Sequence, residues 1–151
     1  MTSLKICSLG SINLDFIVQT HCLPTAGKTI GGGTFETHPG GKGANVALAA
    51  KKMGAYTTLL GAVGNDEFAV KALDLLKKSD VDLKSIVVLD DVSTGVAFIN
   101  VDEDGENQIA VASGANKKFS PEHIGIIDYD GIITQFEIPL ETIFEAIKNY
   151  K

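Results

Sequence analysis

The sequence contains no arginine, so all 13 of its basic side chains are lysines. A lysine carries one compact charge and cannot make the two parallel hydrogen bonds that a guanidinium makes to a phosphate. This absence argues against a complete phosphoryl-transfer site within these residues. The 19 acidic side chains give a net charge of −6, which argues against general nucleic-acid binding.

Cysteines and long apolar runs are also scarce. Cys7 and Cys22 are the only two cysteines, which is too few for a disulfide framework, and neither has metal-ligand spacing with a histidine. The chain has no stretch of about 18 apolar residues, the length that a membrane-spanning helix needs, and it begins with no signal peptide. We therefore expect a cytoplasmic protein with no metal site and no membrane contact.

Strand-like and helical segments alternate in the first half of the chain. Residues 4–9 and 56–63 are short apolar runs that are typical of buried strands, whereas residues 43–53 and 65–78 have helical patterns. This alternation predicts an α/β domain with a parallel sheet. A length of 151 residues with 44% hydrophobic content fits one domain.

The middle of the chain has a different pattern. Strand-like runs at residues 86–89, 95–101 and 107–112 follow one another without helices, and residues 102–105 predict a hairpin turn. This pattern predicts either a separate small sheet or an antiparallel edge on the main sheet. A further buried strand is predicted at residues 131–138, before a final helix.

A glycine-rich turn runs directly into the first helix. Gly40, Gly41 and Gly43 lie in this turn together with Lys42, and Asn45 follows. Glycines let a backbone approach a ligand closely, and the start of a helix directs unpaired N–H groups towards it. The turn therefore predicts a site for a polyhydroxy or anionic small molecule, although a tight turn without a ligand is the alternative.

Two common nucleotide motifs do not fit this turn. A Walker A loop needs serine or threonine after its lysine, but Lys42 is followed by Gly43. A dinucleotide-binding fingerprint needs a third glycine at position 46, which is Val46. The turn is therefore interpreted as a glycine-rich binding site of another kind.

Six short segments, in order along the chain, carry a resemblance to a known family. The chain resembles the ribokinase-like (PfkB) sugar kinases, and their ribokinase branch most closely, at residues 9–15, 40–45, 93–97, 104–107, 113–116 and 135–139. The resemblance implies a Rossmann-type parallel sheet flanked by helices, with a small β-sheet lid over a sugar cleft. Residues 1–151 would form the amino-terminal half of such a domain. Its lid strands are expected at about residues 14–18, 29–36, 86–89, 95–101 and 107–112.

The resemblance also implies a polar ring around the sugar. Its members would be Asn13, Asp15, Gly41, Lys42, Asn45 and Glu137. Aspartate, asparagine and glutamate complement the hydroxyl groups of a furanose, which both donate and accept hydrogen bonds. Ala97 and Ile109 match lid positions that would pack over the sugar and exclude water.

Some of these side chains have simpler interpretations. Asp15 could be an ordinary exposed strand residue, and Asn45 could cap the helix. Asn107 and Asn116 are interpreted as residues that shape turns and do not contact substrate.

The family's cofactors are ATP and Mg²⁺, and its lid pairs two subunits, so the resemblance implies both cofactors and a homodimer. The family's chain is about twice as long as this one. Its second half carries a Gly-Ala-Gly-Asp type motif with the general base, the anion hole and most nucleotide contacts. Phosphoryl transfer needs these parts, so we expect no catalytic residue and no kinase activity in this chain alone.

The leading hypothesis is an ATP-dependent kinase that phosphorylates a primary hydroxyl of ribose or a related sugar, represented here by its sugar-binding half. Two alternatives stay open. One is a non-catalytic fragment that binds sugar or forms a dimer. The other is an α/β protein that uses the glycine-rich turn to bind the phosphate groups of a nucleotide.

Overall fold

The computed structural model describes residues 3–151. Within this range the strands are β1 Lys5–Leu9, β2 Asn13–Gln19, β3 Thr34–Gly40, β4 Tyr56–Gly64, β5 Ile86–Leu89, β6 Gly95–Val101, β7 Asn107–Ala112 and β8 Gly131–Thr134. The helices are α1 Lys42–Lys52, α2 Glu67–Lys78, α3 Ala115–Lys118 and α4 Leu140–Lys148, with a 3₁₀ turn at Pro121–His123. None of these helices has the length and hydrophobicity needed to cross a membrane.

The main sheet is parallel and has the strand order β5-β4-β1-β8. Its central strand β4 is buried along all but its first residue, because layers of side chains cover both faces. One layer packs around Ile12 and Leu59, with residues of α1 and α2, and the other packs around Phe119 and Ile143. The predicted α/β architecture with a parallel sheet flanked by helices is confirmed.

A second sheet has the order β3-β2-β6-β7. Its two inner strands are parallel to each other, and each pairs with an antiparallel outer strand. All four strands join the main body at the same end, where Asn13 pairs with both Gly40 and Gly95. One face of the sheet rests on α2, since the rings of Phe16 and Phe68 meet edge to face at 5.5 Å. A separate small sheet, one of the two predicted alternatives, is therefore correct.

The structure corrects three predicted strands. Residues 86–89 were expected in the lid, but they extend the main sheet, because Ile86 pairs with Gly61 of β4 after the α2 crossover. Of the segment 29–36, only the part from Thr34 onward is strand, since the consecutive glycines before it disfavour a paired strand. The strand predicted at 131–138 ends at Thr134 and is half-exposed at the edge of the sheet.

The connection between β5 and β6 is fixed by the Asp66 carboxylate. This group caps α2 by accepting a hydrogen bond from Ala69 N at 2.9 Å. It also accepts hydrogen bonds from the backbone N and the Oγ1 of Thr94, both at 2.7 Å. Thr94 Oγ1 in turn accepts from Gly64 N at 2.9 Å. These contacts hold the start of β6 against the end of β4 and so fix the base of the second sheet.

Candidate functional site

The glycine-rich turn packs against the loop between β1 and β2. Gly41 has a φ of 92°, and a Cβ on it would lie 2.5 Å from Ser11 O and 2.7 Å from Ile12 Cα. A Cβ on Gly43 would lie 2.5 Å from the carbonyl carbon of Gly10. The space that these two glycines leave is therefore filled by the neighbouring loop. Their absent side chains allow two stretches of backbone to meet, and the close approach of a ligand to this backbone stays a prediction.

Lys42, Ser11 and Glu137 form a closed set of polar contacts at this junction. Lys42 Nζ forms an ion pair with Glu137 Oε1. Ser11 Oγ donates a hydrogen bond to Glu137 Oε2 at 2.8 Å and accepts one from Lys42 N at 2.9 Å. The structure thus brings together Lys42 and Glu137, which are 95 residues apart in the sequence. Sequence reasoning missed Ser11, although it lies within the first segment that carries the family resemblance.

The pKa of Glu137 lies below its usual value of 4.5. Burial on its own would raise this pKa, but the hydrogen bonds from Lys42 and Ser11 and the charge of Lys42 outweigh that effect. Glu137 is therefore held as a carboxylate, with both of its oxygens already engaged.

Because the pKa of Glu137 is lower in the folded state, its ionised form stabilises the protein at pH values above the unfolded pKa. This contribution disappears as the pH falls through the lowered folded pKa. We expect Glu137→Gln to reduce the free energy of unfolding by about 0.5 kcal/mol near neutral pH, a value already reduced for solvent screening of this exposed pair. Urea unfolding should show the difference shrinking as the pH falls below 4.5, the usual pKa of glutamate.

The matched control for this prediction is Glu103→Gln, which changes an exposed glutamate at the far end of the second sheet. It should change the free energy of unfolding less than Glu137→Gln does, because Glu103 forms no ion pair in residues 3–151. A difference between wild type and Glu137→Gln that grows on acidification would contradict the assignment of the lowered pKa.

Asp15 has a different environment on β2. Its carboxylate is half-buried and lies against Gly40, where a Cβ would collide with it. No group in residues 3–151 donates a hydrogen bond to this carboxylate. Burial is the main cause of its raised pKa, Glu137 adds to the shift, and His38 and Lys42 oppose it. Asp15 is thus a carboxylate with unused hydrogen-bonding capacity, and the interpretation of it as an ordinary exposed residue is wrong.

The predicted lid residues share one face of the second sheet with Asp15. Ala97 is directly opposite Asp15 across the β2–β6 pair and is buried. Ile109 pairs with Ile99, one row further from the base, and is 55% exposed. The structure therefore places both side chains on the face that Asp15 occupies, with Ala97 the nearer.

Asn45 is exposed on α1, three residues after Lys42 and therefore on the same side of that helix. The alternative that it caps the helix is wrong, because Gly41 holds the cap position without a side-chain hydrogen bond.

A cleft of about 640 Å³ borders this junction. Its walls are Ser11, Asn13, Val111, Ser113, Asn116, Lys117 and residues 136–141. Of the predicted site residues, only Asn13 and Glu137 line it. Lys42 is joined to the cleft through its ion pair with Glu137, which forms part of the wall, whereas the other predicted residues do not line it. Within residues 3–151, no group of three or more histidine, cysteine, aspartate or glutamate side chains is placed to hold a metal ion.

Asn116 is a second residue whose role sequence reasoning missed. It is 2% exposed, and its side chain hydrogen-bonds the N and O of Ile12 and the Oδ1 of Asn13. The interpretation of Asn116 as a turn residue is therefore too narrow. The only signal in the sequence was its place in one of the six segments that carry the resemblance.

The family and the two curated proteins that this chain matches here are all sugar kinases. The family described as pfkB family carbohydrate kinase matches residues 3–143. The chain is 37% identical over 149 residues to ribokinase from Bacillus subtilis (strain 168), covering 95% of this chain and 50% of that protein. It is 35% identical over 150 residues to deoxyribokinase from Salmonella typhi, covering 96% of this chain and 49% of that protein.

A solved structure shows the same fold. Ribokinase from Arabidopsis thaliana complexed with ribose and ATP superimposes with a TM-score of 0.77 at 27% sequence identity. The superposition covers 98% of this chain and 51% of that chain. The present chain spans about half the length of the curated relatives it matches.

Proposed function

The chain belongs to the pfkB family of carbohydrate kinases, and we propose that its site binds ribose or a closely related sugar. In the whole enzyme, the primary hydroxyl of this sugar would receive a phosphate group from ATP. The observation that carries this proposal is the Asp15 carboxylate. It is half-buried and has no hydrogen-bond donor in the described part of the chain. A carboxylate in this state accepts hydrogen bonds from hydroxyl groups, and a sugar supplies several of them.

The surroundings of Asp15 suit the same ligand. Lys42 and Glu137 supply a cation and a carboxylate beside it, whereas Ala97 and Ile109 supply an apolar cover on the second sheet. A combination of apolar walls and a few fixed polar groups is typical of small-molecule sites. Asn13, Gly41 and Asn45 complete the proposed set of sugar-binding residues.

We propose that most contacts for ATP and Mg²⁺ lie in the second half of the family's chain, where the resemblance puts the anion hole and most nucleotide contacts. ATP use is supported by the Arabidopsis thaliana relative, which was solved with ribose and ATP. We therefore place sugar binding in this chain, and we expect no phosphate transfer from it alone.

We further propose that the second sheet acts as a lid and pairs two copies of the protein in the cytoplasm. Strand β7 is exposed along its whole length, and Ile109 and Val111 are 55% and 58% exposed. These side chains lie on the Asp15 face of the sheet. A second copy that covered this face would remove apolar area from water.

Calorimetric titration tests the proposed function directly. We expect ribose to give saturable heat with this chain, while ATP with Mg²⁺ gives none in the absence of sugar. Ribose binding should weaken by at least about tenfold in Lys42→Met, which removes the cation next to Asp15 and Glu137. Lys52→Met provides the matched control, since Lys52 is exposed at the other end of α1 and forms no ion pair in the described part of the chain.

Tight binding of ATP without ribose would overturn the sugar site and favour the alternative of a phosphate-binding turn. Phosphate transfer by this chain alone would overturn the expectation that it has only a binding role. A non-catalytic module that binds sugar or dimerises is the remaining alternative. A ribokinase assay on the whole natural polypeptide distinguishes it from the kinase.

A further inference from the structure

Asn116 connects α3 to the strand that carries Asn13 and Asp15. Its side chain is almost completely buried, with 2% exposure, and it makes three hydrogen bonds. Oδ1 accepts from Ile12 N at 2.8 Å, while Nδ2 donates to Ile12 O at 3.0 Å and to Asn13 Oδ1 at 2.8 Å. All three side-chain hydrogen bonds therefore go to Asn13, the first residue of β2, and to Ile12, the residue before it.

These contacts determine the orientation of two amide groups. Ile12 N can only donate, so the atom of Asn116 that faces it must be the oxygen. The other atom of the amide is then the NH₂ group, and its two hydrogens go to Ile12 O and to Asn13. The atom of Asn13 that faces Asn116 must consequently be its oxygen. The order of atoms in both amides follows from the fixed chemistry of the Ile12 backbone, which removes the usual ambiguity of amide side chains.

Gly95 has no side chain that would separate the amides of Asn13 and Asn116. It pairs with Asn13 across the β2–β6 ladder. A Cβ at this position would collide with both Asn116 Nδ2 and Asn13 Oδ1. The glycine is thus required where the hydrogen bond between the two asparagines passes over β6.

The NH₂ group of Asn13 is the part of its amide that Asn116 does not contact. Its side chain is 7% exposed and forms part of the cleft wall. In the described part of the chain, the Asn13 Nδ2 has no hydrogen-bond partner. Asp15 lies two residues further along β2 and therefore on the same side of the strand. The strand presents a donor from Asn13 and an acceptor from Asp15 side by side.

We propose that Asn116 is a positioning residue that fixes the Asn13 amide with its NH₂ group towards the ligand. This inference rests on the proposed sugar site and specifies it further. The ligand must offer a hydrogen-bond acceptor to Asn13 and a donor to Asp15, and two hydroxyl oxygens of one sugar meet both requirements. A group that can only donate would be rejected at Asn13.

Exchange of the side-chain amide hydrogens, followed by NMR on the isotopically labelled chain, tests the fixed orientation without any ligand. We expect the NH₂ group of Asn116 to exchange slowly, because both hydrogens are bonded and buried. The NH₂ group of Asn13 should exchange faster, and the exposed Asn107 serves as the fast reference. Equal protection of Asn13 and Asn116 in the free protein would overturn the inference.

Ribose titration of variants tests the consequence for binding. Asn116→Asp keeps the acceptor for Ile12 N but places a second oxygen against Ile12 O and Asn13. The hydrogen bond to Ile12 O is lost, and the Asn13 amide turns its NH₂ group away from the ligand. We expect ribose affinity to fall by about tenfold or more, as when a buried polar partner is lost. Asn13→Asp should have a similar effect, because an oxygen then replaces the NH₂ group. Asn107→Asp, the same chemical change on an exposed strand, should have none.

The double variant separates positioning from general structure. If Asn116 acts through Asn13, adding Asn116→Asp to Asn13→Asp should weaken ribose binding little further. Unchanged affinity in a folded Asn116→Asp variant, or a fully additive loss in the double variant, would overturn the inference. Absence of ribose binding by the wild-type chain would count against the proposed function. The exchange measurement would still decide the orientation of Asn13, including when a variant fails to fold.

Discussion

Asp15→Asn is expected to weaken ribose binding by on the order of 100-fold, because hydrogen bonds to a charged group contribute about 1.5–3 kcal/mol each. The variant should also be at least as stable as the wild type. The raised pKa of Asp15, caused mainly by burial, means that the folded state disfavours the ionised form. At pH values above the unfolded pKa the charge therefore destabilises the fold, and the neutral amide removes this cost.

Two measurements check this prediction, namely calorimetry with ribose and thermal unfolding near neutral pH. Asp104→Asn is the matched control, since it makes the same change at an exposed position in the hairpin turn and should affect neither quantity. Ribose binding of wild-type strength by Asp15→Asn would contradict the role of the carboxylate. A large loss of stability would instead indicate that Asp15 has a structural role.

Gly41→Ala is expected to destabilise the protein by about 3 kcal/mol or more, from backbone strain at a positive φ together with overpacking. The new Cβ would lie 2.5 Å from Ser11 O, and neither that backbone nor the turn can move without separating Lys42 from Ser11. Ribose binding should be lost together with stability. Urea unfolding measures the first effect and calorimetry the second.

Gly125→Ala is the control for this substitution. A Cβ there meets no atom within 4 Å, and the residue has no positive φ. It should change the free energy of unfolding by no more than about 0.5 kcal/mol. Equal stabilities of the two variants would show that the turn does not need glycine at position 41.

The main sheet was predictable because its strands and helices alternate in the sequence. Strands β1 and β4 are short, mostly buried segments rich in apolar residues, and each is followed by a segment with helical periodicity or by a clear turn. Residues 86–89 were assigned to the wrong sheet because their pattern resembles that of the strands that follow. The parallel pairing of residues 86–89 with β4 distinguishes them, and these contacts are not local in the sequence.

The candidate site was predictable in composition but not in arrangement. The resemblance named Lys42 and Glu137, and the structure joins them. Ser11 and Asn116 were missed because serine and asparagine near glycines are ordinary turn residues. Their roles depend on contacts that span 126 and 104 residues, and no local pattern records such contacts.

The way in which the second sheet is attached has a mechanical consequence. All four strands leave the main body at one end, near Asn13, Gly40 and Gly95, and α2 supports the Phe16 face of the sheet. Strand β2 has seven residues, which corresponds to a length of about 20 Å. Any rotation of the sheet about this attachment would move Ile109 farther than Ala97, because Ile109 lies one row farther out. Such a rotation would therefore change the outer part of the Asp15 face more than the inner part.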